Sequence, residues 1–316
     1  MKGTGLTPPV ASAAQSPHCG ESVGGAIAGA VVKLIRRVAR HSNVNRLKMS
    51  ACQFNQIRRP VVSGSFYPAN AEALCQLVEF CLAGGMRPAV KRSHKAFILP
   101  HAGLIYSGPV AGSGYLCLER DRAVIRRVVL LGPSHRLAFT GIACSEASAF
   151  ATPLGEVPVD AAALEAIQEL PSVRPLEAAH AQEHSLEVHL PFLQAVLDHF
   201  QLVPLVVGDA REEEVSLVIE KLWGGPETRI IISSDLSHFH DYALARRLDA
   251  ETATAIEELQ PVTPEQACGA TPLNGLLCSA RKHHLSARTI DLRNSGDTAG
   301  DRARVVGYGA FVFNEN

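Results

Sequence analysis

Three apolar runs in this sequence end at residues that can bind a metal ion or transfer a proton. VVLLGPSH ends at His135, FILPH ends at His101, and IIISSDLSH reaches Asp235 and then His238. Imidazole changes its charge near neutral pH and is a common metal ligand. Two imidazoles from separate strands, joined by a third ligand, would form a metal site with positions open for substrate or dioxygen.

Each of these histidines also has a purely structural interpretation. A single histidine at a strand end more often makes loop hydrogen bonds than it binds a metal. The 34-residue separation between His101 and His135 is not a metal-box interval, so spacing leaves both interpretations open. The recurrence of the pattern is what favours one shared site.

Short apolar runs alternate with helical patterns from Ile57 onward, which indicates an α/β fold. Ligands of open α/β sheets bind beyond the carboxyl ends of the strands. We therefore predict a single-domain layered sheet with flanking helices, whose strand-end loops build one site. The predicted strands are 97–99, 127–131, 141–144, 201–207, 229–233, 287–292 and 305–313, and the predicted helices are 70–83, 109–119, 160–169, 185–199 (bent at Pro191), 212–223, 242–259 and 272–283.

The composition favours one domain preceded by an N-terminal extension. The 316-residue chain is 47% hydrophobic, enough for a large core, and the α/β pattern occupies residues 56–316. Residues 1–48 instead carry seven Lys or Arg and one acid, Glu21. We interpret residues 1–55 as a disordered basic tail or an upstream extension of the reading frame, with Met49 as a candidate natural start. The alternative is a surface-binding helix near residues 26–40.

Charge, aromatic content, apolar run length and cysteine spacing indicate which classes of protein are unlikely here. The body of the chain is mildly acidic and only 5% of residues are aromatic, so neither a basic footprint nor stacking platforms for nucleic acid are expected. No uninterrupted apolar run approaches the roughly 18 residues that span a bilayer. The eight cysteines show no CxxC and no regular disulfide spacing. Free thiols of this kind are typical of a reducing compartment, and we expect a cytoplasmic protein.

An ordered set of sequence blocks between about Arg59 and Phe313 resembles the MEMO family, named for the mediator of ErbB2-driven motility. The blocks are RPVVSGSFYP, PHAGLIYSGPVAG, LLGPSH, TPLG, EHSLEVHLPFL, LVPLVVG, ISSDLSH, CGATPLNGLL and GYGAFVF. The family has bacterial and archaeal members, and a prokaryotic member is expected here. The resemblance implies a fold similar to the class III extradiol dioxygenases, which use non-haem iron(II) to cleave catechol-type rings.

The resemblance also implies a set of site residues. Its motifs assign His101, His135 and Cys268 as metal ligands, and place Asp235 and His238 in the same pocket as candidate catalytic residues. Tyr106 and His184 are candidate substrate-binding residues, although ordinary packing or a structural hydrogen bond explains each equally well. The segment EHSLEVHLPFL is not the H-E-x-x-H zinc signature, because order and spacing differ.

The cysteine departs from the dioxygenases, whose third ligand is a carboxylate. A thiolate is softer and favours copper(I), zinc or iron in a more covalent site. Iron(II) and copper(I) are therefore the expected cofactors, and an oxidoreductase with a dioxygenase-like site is the expected function. The alternative is a non-catalytic module that binds a peptide or protein in the same cleft. The resemblance further implies AMMECR-like and radical SAM proteins as partners, beside an unknown small molecule or peptide.

Overall fold

The computed structural model describes residues 56–87 and 93–315, and within them the chain forms two sheets flanked by helices. The strands are β1 (Ile57–Arg58), β2 (Ala96–Leu99), β3 (Arg127–Pro133), β4 (Ile142–Cys144), β5 (Ala149–Thr152), β6 (Gly155–Pro158), β7 (Val173–Pro175), β8 (Gln201–Val207), β9 (Thr228–Ser233), β10 (His238–His240), β11 (Ser286–Asn294) and β12 (Val305–Asn314).

The helices are α1 (Ala71–Ala83), α2 (Leu104–Leu116), α3 (Ala161–Ile167), α4 (Glu177–Ala181), α5 (Leu190–Val196), α6 (Glu212–Lys221), α7 (Tyr242–Glu257), α8 (Ala270–Lys282) and α9 (Ser295–Thr298). Short 3-10 turns lie at Glu119–Asp121 and Glu187–His189. Several helices begin at side-chain caps, and α1 and α3 are two examples. Asn70 accepts from the Ala73 amide before α1, and Asp160 accepts from the Ala163 amide before α3.

The main sheet has the order β10-β12-β2-β9-β3-β8-β4-β7, with β11 paired to β12. Its centre, β2-β9-β3-β8, is parallel. These four strands are almost wholly buried, as expected where helices cover both faces of a parallel sheet. Because the central strands are parallel, their carboxyl ends lie at one edge of the sheet. The candidate residues follow the strands at that edge.

Helices complete the core around this sheet. α8 rests on β3 and β9 and packs against α6, while α2 packs against α1 and contacts β2, β11 and β12. A separate three-stranded sheet, β1-β5-β6, carries the first described residues. None of the helices in the described part of the chain is long and apolar enough to cross a membrane.

The predicted α/β layer fold is confirmed, and each of the seven predicted strands is present with ends shifted by at most two residues. Two predicted helices were wrong. The helix predicted at 109–119 begins at Leu104, so Pro109 lies inside α2 and not at its first turn. The helix predicted at 185–199 is a 3-10 turn followed by α5, and Pro191 lies in the first turn of α5, where proline is tolerated.

Between the last two strands, β11 runs to Asn294, which caps the short helix α9. The strands that were not predicted are β1, β5, β6, β7 and β10. The N-terminal extension, including the candidate helix at 26–40, lies outside the described residues.

Candidate metal centre

The three parallel strands β2, β9 and β3 bring the strand-end residues to one edge of the sheet. His101, Asp235 and His135 each lie two residues beyond the strand that precedes them. Leu99 of β2 pairs in register with Ser233 of β9, so the loops of these neighbouring strands start side by side. The sheet itself therefore positions residues that are more than 30 apart in sequence.

Three potential ligand atoms converge there. One nitrogen from each of His101 and His135 and the sulfur of Cys268 all lie within 4.8 Å of one another. Cys268 Sγ is 3.5 Å from His101 Nε2, and the two imidazole ring centroids are 5.1 Å apart. His101 is buried, Cys268 is partly buried and His135 is exposed, so the cluster extends from the interior to the surface.

His101 is held on both its backbone and its ring. Its amide donates to Asp235 Oδ1 at 2.9 Å, and its Nδ1 lies 2.6 Å from Ser233 Oγ. Burial, with the neighbouring imidazoles of His135 and His184, holds the pKa of His101 well below its usual value. The ring is therefore neutral at neutral pH, which is the form that binds a metal.

His135 is held by the buried carboxylate of Glu183. The His135 amide donates to Glu183 Oε2 at 2.6 Å, and the ring Nδ1 lies 2.9 Å from Oε1. A carboxylate only accepts, so Nδ1 carries the proton and Nε2 keeps its lone pair. Carboxylate–histidine pairs of this kind fix the ring orientation of metal ligands.

A second group of potential ligands, formed by His135, Glu183 and His184, does not suit a metal. Glu183 Oε1 also accepts from the amides of His184 and Ser185, both at 2.9 Å. Burial alone would raise the pKa of Glu183, but the contacts from His135 and His184 and the backbone hydrogen bonds hold it well below its usual range. Its oxygens are occupied by these donors, so Glu183 orients a ligand instead of being one.

Cys268 reaches the cluster because the chain beside it can approach β9 closely. A Cβ at Gly269 would lie 2.6 Å from the Ser233 carbonyl oxygen, so only glycine fits there. The Asp235 amide donates to Cys268 Sγ at 3.3 Å. Burial and the nearby Asp235 raise the pKa of the thiol to about 12, so a metal ion must displace its proton on binding.

Asp235 holds the site together from outside the ligand cluster. Within the described residues it belongs to neither group of potential metal ligands. Its side chain accepts from the His101 amide, and its carbonyl accepts from the Cys268 amide at 3.2 Å. Burial raises the pKa of its carboxyl, an effect that the His101 amide and the charge of His238 oppose.

His238 lies at the sheet edge, on a bulge. The register of β10 shifts between His238 and His240, and Phe239 between them has a φ of 64°, which non-glycine residues rarely adopt. Bulges of this kind redirect a side chain. His238 Nδ1 lies 2.7 Å from the Leu236 carbonyl, which can only accept, so His238 Nε2 is the nitrogen left to exchange a proton.

Asp249 supports this bulge from α7. Its Oδ1 accepts from the Ser237 amide at 3.0 Å, and a Cβ at Gly307 would overlap its carboxylate. Burial raises the pKa of Asp249 to about 6, although the charges of His238 and His240 oppose the shift.

Asp249→Asn is expected to stabilise the protein in a pH-dependent way. The folded state binds the Asp249 proton more tightly than the unfolded state, so its contribution to stability falls as pH rises from about 4 to 6. Asparagine keeps the acceptor without the charge. The gain in unfolding free energy should therefore be near zero at pH 4 and about 1–3 kcal/mol at pH 8. Urea titrations at both pH values measure it, with the exposed Asp301→Asn as control; a pH-independent difference would contradict the assignment.

Comparison with known proteins identifies the chain. Residues 58–312 match the model of the family described as Memo-like protein. The chain belongs to the Memo-like family. It is 35% identical over 274 residues to a MEMO1 family protein of Aquifex aeolicus, covering 82% of this chain and 99% of that one. A MEMO1 family protein of Archaeoglobus fulgidus is 36% identical over 270 residues, covering 81% of this chain and 99% of its own.

Of the two candidate substrate-binding residues, His184 lies beside the ligand residues of this Memo-like protein. His184 Nδ1 is 3.2 Å from Glu183 Oε1 without a hydrogen bond to it, and its ring centroid is 4.7 Å from that of His135 and 4.8 Å from that of Phe66. It therefore lines the candidate centre. Tyr106 lies in the first turn of α2 and is 38% exposed, and its role in substrate binding stays a prediction.

Sequence reasoning missed the buried polar residues that support the Memo-like site. They are Glu183, Glu187, His189 and Ser233, each at most 1% exposed. Three of them come from the block EHSLEVHLPFL, from which only His184 was selected. The available signal was the presence of two acids and a histidine among leucines. Charged groups in apolar surroundings are rarely buried without partners, so these residues could have been expected to have buried hydrogen-bond partners.

Proposed function

We propose that this Memo-like protein binds iron(II) or copper(I) through His101, His135 and Cys268 and acts as an oxidoreductase on a small molecule. The observation that supports the proposal is the convergence of three ligand atoms within 4.8 Å, each on a residue held in place by its neighbours. Ser233 and Glu183 occupy the Nδ1 atoms, so both rings present Nε2 to the same space.

The donor set fits a transition metal with positions left open. Two neutral imidazoles and one thiolate are the soft-to-intermediate donors that bind iron, copper and zinc, and an ion held by only these three would have further positions for a substrate. A redox-active ion held there would supply one-electron and dioxygen chemistry. The peptide N–H of Asp235 points at the sulfur, and such hydrogen bonds tune the redox potential of a thiolate-bound metal.

We assign proton transfer to two further groups. His238 Nδ1 is held by the Leu236 carbonyl, which leaves Nε2 to act as a general acid or base for a bound hydroxyl group. Asp235 interacts with the charge of His238 and holds the His101 backbone, so it couples the proton carrier to the ligand loop. In this proposal His238 exchanges the proton, and Asp235 holds the loops that carry His101 and His238 in fixed positions relative to each other.

A cavity that Cys268 lines, and that the two histidine ligands do not, is large enough for a small-molecule substrate. It has a volume of about 230 Å³, and its lining includes Leu137, Phe139, Pro272, Thr271 and Asp209. An apolar cavity of about 150 Å³ can hold one benzene ring. The space beside the sulfur is thus enough for a single substituted ring or a short chain, with polar groups at Thr271 and Asp209 to orient it.

The proposal is tested by metal content and metal uptake. Protein purified without oxygen or chelators is analysed by elemental mass spectrometry and then titrated with iron(II), copper(I) and zinc(II) against a chromophoric chelator. Near-stoichiometric iron or copper, or uptake of one equivalent, is the expected result. A folded protein that takes up neither metal would reject the metal-dependent function and leave the peptide-binding alternative.

Glu183→Gln is expected to weaken metal binding about 10–100-fold, as the loss of a ligand's hydrogen-bond partner typically does. The amide's NH2 group would face the donors of His135 and could not accept from them. The affinity is measured in the same chelator competition. Glu177→Gln is the matched control, because Glu177 also holds a loop, through Ser145 and Glu146, but belongs to neither ligand group. Equal losses in both variants would contradict a specific role for Glu183.

A further inference from the structure

The hydroxyl of Ser233, at the end of β9, is the centre of a closed set of hydrogen bonds beneath His101. Ser233 Oγ lies 2.6 Å from His101 Nδ1, 2.9 Å from His189 Nε2 and 2.6 Å from the Ser185 carbonyl oxygen. His189 Nδ1 in turn lies 2.7 Å from the hydroxyl of Tyr115. All four side chains are at most 1% exposed, so water does not compete for these contacts.

The contacts assign every proton in the set. A serine hydroxyl has one proton and two lone pairs, and a carbonyl can only accept, so the Ser233 proton is given to Ser185 O. Both imidazoles must therefore donate to Ser233 Oγ, His101 from Nδ1 and His189 from Nε2. His189 Nδ1 is left to accept from Tyr115. Burial lowers the pKa of His189 to about 3, which agrees with a neutral ring.

We propose that Ser233 is a positioning residue that keeps His101 protonated on Nδ1 and leaves the His101 Nε2 lone pair facing Cys268 and His135. The inference builds on the proposed metal site, because that lone pair is what a metal would use. The 3.5 Å separation of Cys268 Sγ from His101 Nε2 fits it, since the protonated thiol is a donor and Nε2 the acceptor.

The same proton assignment shows that the set positions His101 and does not conduct protons. The Ser233 proton is given to a backbone carbonyl, which cannot pass it on. At the other end lies Tyr115, which is fully buried and stacks on Phe192, with ring centroids 4.8 Å apart and planes within 5°. The interactions therefore fix geometry, and the proton carrier of the site remains His238.

The direct test is the tautomer of His101 in metal-free protein. Two-bond ¹H–¹⁵N correlation spectra of ¹⁵N-histidine-labelled protein distinguish a protonated Nδ1 from a protonated Nε2. The native protein should show His101 protonated on Nδ1, and Ser233→Ala should show a mixture or the other tautomer. Native His101 protonated on Nε2 would overturn the inference, and this measurement needs no variant to fold.

Metal affinity supplies the second readout. Ser233→Ala is expected to weaken binding of iron(II) or copper(I) about 10–100-fold. Ser233→Thr, which keeps the hydroxyl, should restore both the affinity and the tautomer. Ser279→Ala is the matched control, because Ser279 is a buried serine paired with Ser216 on the α6–α8 interface. Native affinity and tautomer in Ser233→Ala, or equal losses in Ser279→Ala, would overturn the positioning role.

The two proposals fail separately in these experiments. If the native protein binds no metal while His101 is protonated on Nδ1 and depends on Ser233, the proposed function fails and the positioning inference stands. If the native protein binds metal and Ser233→Ala changes neither readout, the inference fails and the metal site stands.

Discussion

Cys268→Ser is expected to lower the affinity for iron(II) or copper(I) by more than about 100-fold. The loss should exceed the 10–100-fold typical of a ligand's hydrogen-bond partner, because here a ligand atom itself is exchanged. Serine is isosteric with cysteine, but its hydroxyl gives up its proton far less readily and is a hard donor that suits copper(I) poorly. The fold should persist, since Cys268 lies in a loop and not in a central strand.

The measurement is metal content after anaerobic purification, followed by chelator competition on the apoprotein. Cys278→Ser is the matched control, because Cys278 is another partly buried free thiol, ten residues further on in α8. Its metal content should equal that of the native protein. Native metal content in Cys268→Ser would show that the thiolate is not a metal ligand. Equal losses of metal in both variants would indicate a general effect of thiol replacement.

The strand ends were predictable because the determinants are local. Runs such as 127–131 and 201–207 consist mainly of Val and Leu after a polar first residue, over the length of a buried strand, and the polar residues that follow are expected in loops. The parallel arrangement then places His101, His135 and Asp235 at one edge, as the fold class implies. The strand pattern therefore predicted the loops of His101, His135 and Asp235, whereas the Cys268 loop, which precedes α8, was assigned only through the family resemblance.

The contacts that orient those side chains were not predictable, because their partners are distant in sequence. Ser233 is 132 residues from His101 and 44 from His189. The helix predicted at 185–199 was wrong for a similar reason. Glu183 accepts from the amides of His184 and Ser185, Glu187 pairs with Arg58, and a 3-10 turn at Glu187–His189 comes before α5 begins at Leu190. The helical spacing of Leu186, Leu190 and Leu193 gives no sign of this interruption.

Glu187 carries a buried charge whose partners are also distant in sequence. Its removal is expected to destabilise the fold more than any surface change. Its fully buried carboxylate accepts from Arg58 Nη1 at 2.7 Å, from the amides of Val61 and Val62, and from the Tyr67 hydroxyl at 2.6 Å. Glu187 thus holds four positions of the segment 58–67, in addition to the pairing of β1 with β5 and the contacts of Arg58 with backbone carbonyls.

Glu187→Ala should lower the unfolding free energy by about 3–5 kcal/mol, the usual cost of leaving a buried charge without its partner. Urea denaturation of metal-free protein measures it, with the exposed Glu213→Ala expected to stay within about 0.5 kcal/mol of native. The double variant with Arg58→Met should be less destabilised than the two single changes added together, because the unpaired guanidinium is then absent. A loss below about 1 kcal/mol in Glu187→Ala would contradict the argument.

Glu187→Ala should also weaken metal binding, because Arg58 and Phe66 connect segment 58–67 to residues of the metal centre. Arg58 Nη2 donates to the Glu183 carbonyl at 2.5 Å, and the Phe66 ring packs on His184. Detaching segment 58–67 would thus loosen both the residue that orients His135 and one wall of the site. Weaker metal binding in Glu187→Ala, together with faster amide hydrogen exchange at residues 183–185, is the expected result. Native exchange at those amides would show that segment 58–67 stabilises the fold without supporting the site.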